Sequence, residues 1–70
     1  SALHRSMLRR LQQLDVARRL DDLYLPAGNR LEWLRGDRAG QHSVRVNRRW
    51  RLCFRWIDGD AFDVEIVDYH

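Results

Sequence analysis

Lysine is missing from this 70-residue sequence, and all thirteen basic residues are arginine. Cysteine occurs once, at Cys53, which excludes an internal disulfide and favours a reducing compartment. Long apolar runs are also missing. The longest, such as Leu52-Cys53-Phe54, have three residues, too short for a membrane span or a signal-peptide core. No repeat, linker or low-complexity segment is visible, and the length excludes a second domain. A chain this short buries only about 60% of its unfolded surface. Without disulfides to staple so small a core, the expectation is one domain over residues 1–70. It is expected to be completed by a partner or to be the N-terminally incomplete part of a longer chain.

What is present is charge of two kinds in two places. Residues 1–57 hold thirteen arginines against five acids, a surplus of +8. Residues 58–70 hold five acids and no arginine, a deficit of −5. Arginine offers a planar donor fork that suits phosphate, so the first block points to an anionic partner.

Leu3, Met7, Leu11 and Leu14 recur at helical spacing, and a second helical stretch is expected at about 16–23. The first helix shows no convincing N-cap. Pro26-Ala27-Gly28-Asn29 then makes a turn. Beyond it the period becomes two. Strands are expected at 30–34, 41–46, 50–57 and 61–68, joined by short turn-rich loops. Short loops require antiparallel neighbours. The fold class is therefore α+β: N-terminal helices on one face of a four-stranded antiparallel sheet.

Alternation orients the side chains. Trp50, Leu52, Phe54 and Trp56 face one way, and Arg51, Cys53 and Arg55 the other. Matching them to Phe62, Val64 and Ile66 predicts a three-residue loop at 58–60. The expected pairs are Trp56/Phe62, Phe54/Val64, Leu52/Ile66, Arg55/Asp63, Cys53/Glu65 and Arg51/Val67. The same logic sets Arg45 across from Arg51, Trp33 across from His42 and Leu31 across from Val44. Like charges opposed in a sheet repel. Arg45 and Arg51 are expected to lack a nearby acid, whereas Arg55 has Asp63. One face thus gathers Arg30, Glu32, Ser43, Arg45 and Arg51, with Tyr69 near it, as a phosphate-binding floor. Trp33, Trp50, Trp56 and His42 are expected in the core. Cys53 lacks a histidine at useful spacing, and no metal-ligand spacing exists, so neither a catalytic thiol nor a metal site is expected.

The stretch from Asn29 through the Gly36-Asp37-Arg38-Ala39-Gly40 loop, the Trp50-Arg51 strand and the terminal Asp68-Tyr69-His70 together resemble the HigB branch of the RelE toxin superfamily, with its plasmid-maintenance killer and GraT-like members. The resemblance is strong over 29–70 and loose before it. It implies a bacterial cytoplasmic toxin of a type II toxin–antitoxin system: a ribosome-dependent endoribonuclease that cuts mRNA in the A site. The implied chemistry needs no metal or cofactor. The implied partners are the ribosome with bound mRNA and a HigA-type helix-turn-helix antitoxin, through which the complex would bind operator DNA; no membrane is involved. By the same resemblance Arg51 is the transition-state arginine, Arg45 and Arg35 bind phosphate with Arg30 beside them, and Asp68, Tyr69 and His70 form the acid–base group. Glu32 stands where some members carry a catalytic histidine. Two other classes remain open from the residues alone: a non-catalytic RNA-binding module, and an interaction domain whose arginines grip an acidic protein.

Overall fold

The computed structural model describes residues 1–69. Helix α1, Ala2–Val16, turns Leu3, Met7 and Leu14 toward the sheet. Ser1 caps it: the His4 N–H donates to Ser1 Oγ at 3.2 Å, so the N-cap that the sequence did not reveal is the residue before the first turn. The helical stretch expected at 16–23 is instead a short 3-10 turn, Leu20–Tyr24. Asp22 Oδ2 accepts from the N–H groups of Arg18 and Arg19 at 3.0 and 3.1 Å and tightens that turn.

Four strands follow: β1 Glu32–Trp33, β2 His42–Arg45, β3 Trp50–Ile57 and β4 Asp60–Asp68. They form one antiparallel sheet in the order β1-β2-β3-β4. The expected α+β architecture holds. Leu14, Ala17, Leu23, Val44, Val46, Leu52 and Phe54 make the core between helix and sheet, flanked by Trp50, Trp56 and Ala61. Buried Asn29 ties the connecting turns to it by donating to the Leu23 and Leu25 carbonyls, both at 3.3 Å.

β1 is shorter than the periodicity implies. Arg30 adopts left-handed φ/ψ (φ 44), which breaks the extended chain just before it. Trp33 does oppose His42, but on this edge strand it is 68% exposed, outside the core expected for it. The Leu31/Val44 pair lies outside the ladder.

The β3–β4 hairpin corrects the expected register. Ile57 opposes Asp60 across a two-residue Asp58-Gly59 turn. Both residues have positive φ, 50 and 83, the conformation whose twist matches a tight hairpin and which Asp-Gly accepts readily. This sets Phe62 opposite Arg55, on the outer face and 47% exposed, while Ala61 opposes Trp56. A β-bulge at Asp63 (φ 53) then inserts one residue. Beyond the bulge the expected pairs return: Cys53/Glu65, Leu52/Ile66 and Arg51/Val67. Phe54 sits at the bulge instead of squarely opposite Val64. The Arg55–Asp63 ion pair does form, at 3.4 Å, by way of the bulge.

Candidate functional site

The sheet face away from the core carries a cleft of about 460 Å³ lined by Arg30, Glu32, Arg45, Asn47, Arg48, Arg51 and Tyr69. Four arginines meet one acid there. β2 and β3 hold Arg45 directly opposite Arg51, as the alternation requires.

Arg51 lies at the base of the cleft and is only 6% exposed. Its fork is fully engaged. Nε donates to Ser43 Oγ at 2.8 Å, and Nη2 donates to the Ser43 carbonyl at 3.3 Å and to the Arg30 carbonyl. Nη1 lies 3.5 Å from Glu32 Oε1. The expectation that no acid stands near this pair is thereby overturned at Arg51, while no acid is seen to pair with Arg45 among the described residues. Glu32 opposes Ser43, and the small serine lets the two long side chains meet above it. The left-handed turn at Arg30 aims its carbonyl at the same guanidinium. Arg45 is less engaged: its Nε donates to the Asn47 carbonyl at 3.0 Å, and its own carbonyl accepts from Arg10 Nε of α1 at 2.8 Å.

Tyr69 covers Arg51. Its ring centroid is 5.5 Å from the guanidinium carbon, within cation–π range. Its backbone N–H donates to the Arg49 carbonyl at 2.6 Å, which prolongs the β3–β4 pairing. Burial pushes the phenol above its ordinary value, and Cys53 adds to this; Ser43 and Arg51 pull the other way and lose. The arginine's pull, which would have favoured a phenolate base, is outweighed. Tyr69 is held protonated. Buried Cys53 is likewise pushed up by desolvation, so no thiolate nucleophile is available.

The remaining residues singled out from the sequence lie elsewhere. Asp68 opposes Trp50 and ion-pairs with Arg49 at 2.9 Å; it does not line the cleft. Arg35 is exposed ahead of the 3-10 turn Gly36–Arg38, also outside the cleft lining. His70 lies outside the described residues. His42 packs between Trp33 and Phe54, at 5.2 and 5.9 Å between ring centroids. Desolvation lowers its pKa and keeps it neutral. Among the described residues no group of three or more His, Cys, Asp or Glu side chains could hold a metal ion. No helix among them is long and apolar enough to cross a membrane.

Sequence reasoning missed Asn47 and Arg48. Asn47 Oδ1 accepts from the N–H groups of Arg49 and Trp50, both at 2.9 Å, and curls the β2–β3 loop so that Arg48 reaches the cleft rim. The signal was an Asn followed by two arginines between strands. Its direction depends on the loop conformation.

A helix-backed antiparallel sheet with an arginine-lined cleft under a tyrosine defines a small α+β domain with a cationic cleft. Comparison with known proteins sharpens that class. Residues 1–70 match the family of RelE-like toxins of the type II toxin–antitoxin system HigB, and the chain belongs to this family. It is 43% identical over 63 residues to Toxin HigB-1 of Vibrio cholerae, an alignment covering 90% of this chain and 66% of that protein. It is 39% identical over 61 residues to Endoribonuclease HigB of Proteus vulgaris, covering 87% of this chain and 65% of that one. The chain therefore spans slightly less than two thirds of the length of these relatives.

Proposed function

We propose that this chain is the RNA-cleaving part of a type II toxin, an endoribonuclease that acts on mRNA in the ribosomal A site. The observation that carries the proposal is Arg51, buried at the cleft base with Tyr69 over it and Arg45 across from it. The relative named as an endoribonuclease supports the same reading.

The chemistry divides into three tasks. The 2′-OH attacks the adjacent phosphorus in line, the 5′-oxygen leaves, and a 2′,3′-cyclic phosphate remains. Charge grows on the phosphoryl oxygens as this happens, and Arg51, Arg45 and Arg48 stand where they can offset it. Tyr69, held protonated, donates to the leaving 5′-oxygen. Acceptance of the 2′-OH proton falls to His70 or Glu32, and Arg30 flanks the RNA backbone. Arg35 and Asp68 take supporting places outside the cleft. No step calls on a metal.

The partners that fit are a ribosome carrying mRNA and a HigA-type helix-turn-helix antitoxin. The toxin–antitoxin complex would bind operator DNA through that antitoxin. The bacterial cytoplasm is where those partners meet.

Purified ribosomes programmed with mRNA test the reading. The full-length protein should cleave the message, and Arg51→Ala and Tyr69→Phe should each slow cleavage about 10²-fold or more. Intact mRNA with the unmodified protein would sink it. One observation favours a second reading: the Arg51 fork is already saturated by protein acceptors. A non-catalytic RNA-binding module would show salt-dependent RNA binding without cleavage, unchanged by Tyr69→Phe.

A further inference from the structure

We infer that Asn47 is a positioning residue: from the β2–β3 turn, one side chain sets three groups of the cleft, Arg45, Arg48 and Tyr69, in place. The role deepens the nuclease reading above and rests on the cleft being where RNA binds.

The turn is closed from this one residue. Asn47 Oδ1 accepts from the N–H groups of Arg49 and Trp50, both at 2.9 Å. An amide oxygen has two lone pairs, and the backbone takes both. The same bonds fix which way the amide lies, because the opposite flip would set an NH2 group against two N–H donors. On the main chain, Val46 and Asn47 both donate to the Trp50 carbonyl, at 2.9 and 3.2 Å. Two residues thus face one at the mouth of the hairpin, the pattern of a bulge.

Three contacts leave from this closed turn. The Asn47 carbonyl accepts from Arg45 Nε at 3.0 Å. A guanidinium carries five donors, so this single bond anchors Arg45 and leaves its Nη groups for a ligand. Arg48, the next residue in the turn, lines the cleft. The Arg49 carbonyl accepts from the Tyr69 N–H at 2.6 Å. Arg49 also grips Asp68 Oδ2, with Nε at 3.0 Å and Nη2 at 2.9 Å. Through Arg49 the turn therefore holds the strand end that carries Tyr69 over Arg51. Arg45 and Tyr69 belong to opposite ends of the sheet sequence, and the Asn47 turn is where their anchors meet.

The chemistry of the residue suits the task. Arg45, Arg48 and Arg49 repel one another, and an open loop would let them splay into water. A neutral amide resists that without cancelling the positive charge that a phosphate needs. An aspartate would close the same turn, but it would set a carboxylate among the arginines.

Three measurements on the full-length protein test this. The first is hydrogen exchange. The Arg49 and Trp50 amide protons should be protected in the unmodified protein and exchange freely in Asn47→Ala, with a thermal melt confirming the fold. The second is binding of a non-cleavable, 2′-deoxy oligonucleotide, followed by fluorescence anisotropy across salt concentrations. Asn47→Ala should weaken binding about tenfold at low salt. It should flatten the salt slope by about 1.4, against about 0.7 for Arg48→Ala, because two arginines lose their place together. In an Arg45→Ala/Arg48→Ala background the same substitution should cost less than about twofold, since its route to the ligand is gone. Amide protons that stay protected in Asn47→Ala, an unchanged slope, or an equal loss in both backgrounds would overturn the proposal. Should Asn47→Ala not fold, Asn47→Ser carries the test. Its hydroxyl accepts in the same turn more weakly, so protection and affinity should fall together. Wild-type binding by a serine variant whose turn protons exchange freely would overturn the role.

The third measurement, cleavage on programmed ribosomes, separates this role from the nuclease reading. Asn47→Ala should lower kcat about 10²-fold, the scale of misplaced reacting groups, and unchanged cleavage would overturn the role. If the unmodified protein binds the oligonucleotide but cleaves no message, the nuclease reading fails, and a flattened slope in Asn47→Ala would still support the positioning of the arginines. If the unmodified protein does not bind the oligonucleotide, the positioning role fails.

Discussion

Glu32 and Arg51 set the electrostatics of the cleft. The carboxylate sits 3.5 Å from Nη1, where a phosphate oxygen would otherwise approach. Glu32→Gln should therefore tighten binding of a non-cleavable, 2′-deoxy oligonucleotide. A half-exposed pair is worth up to about 1 kcal/mol, so the gain should be at most about fivefold. Fluorescence anisotropy checks it, and weaker binding would show that Glu32 supports the RNA. His42 supplies a second expectation at this scale. Burial lowers its folded pKa below the ordinary 6.5, so the unfolded chain binds the extra proton more readily. Stability is then complete above about 6.5 and declines as the pH falls below it, toward the lower folded value. Chemical denaturation between pH 7.5 and about 5 should show that decline, and His42→Asn should flatten it.

At the scale of elements, the β3–β4 hairpin carries the clearest expectations. Gly59 has φ +83, and an added Cβ would meet the Arg18 carbonyl at 3.4 Å. Gly59→Ala should cost about 1 kcal/mol or more. Asp63→Gly should do the reverse. It relieves the left-handed φ of 53 at the bulge and gives up only an exposed ion pair, so stability should hold or rise by up to about 1 kcal/mol. Denaturant melts separate the two. A destabilised Asp63→Gly would mean that the Arg55 contact is worth more than its exposure implies.

The same hairpin shows how far the sequence could be followed. The alternation of Trp50, Leu52, Phe54 and Trp56 gave the strand, its faces and the Arg45/Arg51 opposition correctly. It could not reveal the bulge, because pattern matching assumes that both strands keep a period of two. The Asp58-Gly59 dipeptide was the available clue, and a loop chosen to pair Phe62 with Trp56 overrode it. At the site, Arg51 and Tyr69 were legible as neighbours. The Glu32 contact was not, since it depends on two long side chains crossing a small one. The Arg30 carbonyl was not either, since it depends on a left-handed backbone angle that nothing in an arginine requires.

For the whole molecule, size sets the terms. Phe54 is fully buried beneath the sheet. Phe54→Ala should cost about 3–5 kcal/mol. That is a large part of the roughly 5–15 kcal/mol available to a small domain. A melt should show the domain largely unfolded. Charge sets the mode of binding. If three or four arginines of the cleft each neutralise a phosphate of single-stranded RNA, the slope of log K against log salt should be about −2 to −3. Arg48→Ala should flatten it by about 0.7. A slope near zero would place the RNA elsewhere on the protein.

The buried Arg51 has a last consequence, for entropy. An arginine side chain free in solution gives up roughly 2 kcal/mol of rotamer freedom when it is immobilised. Here Ser43, the Arg30 carbonyl and Glu32 already restrain it before any ligand arrives. That loss is borne when the chain folds, and the anion that later reaches Arg51 does not bear it again.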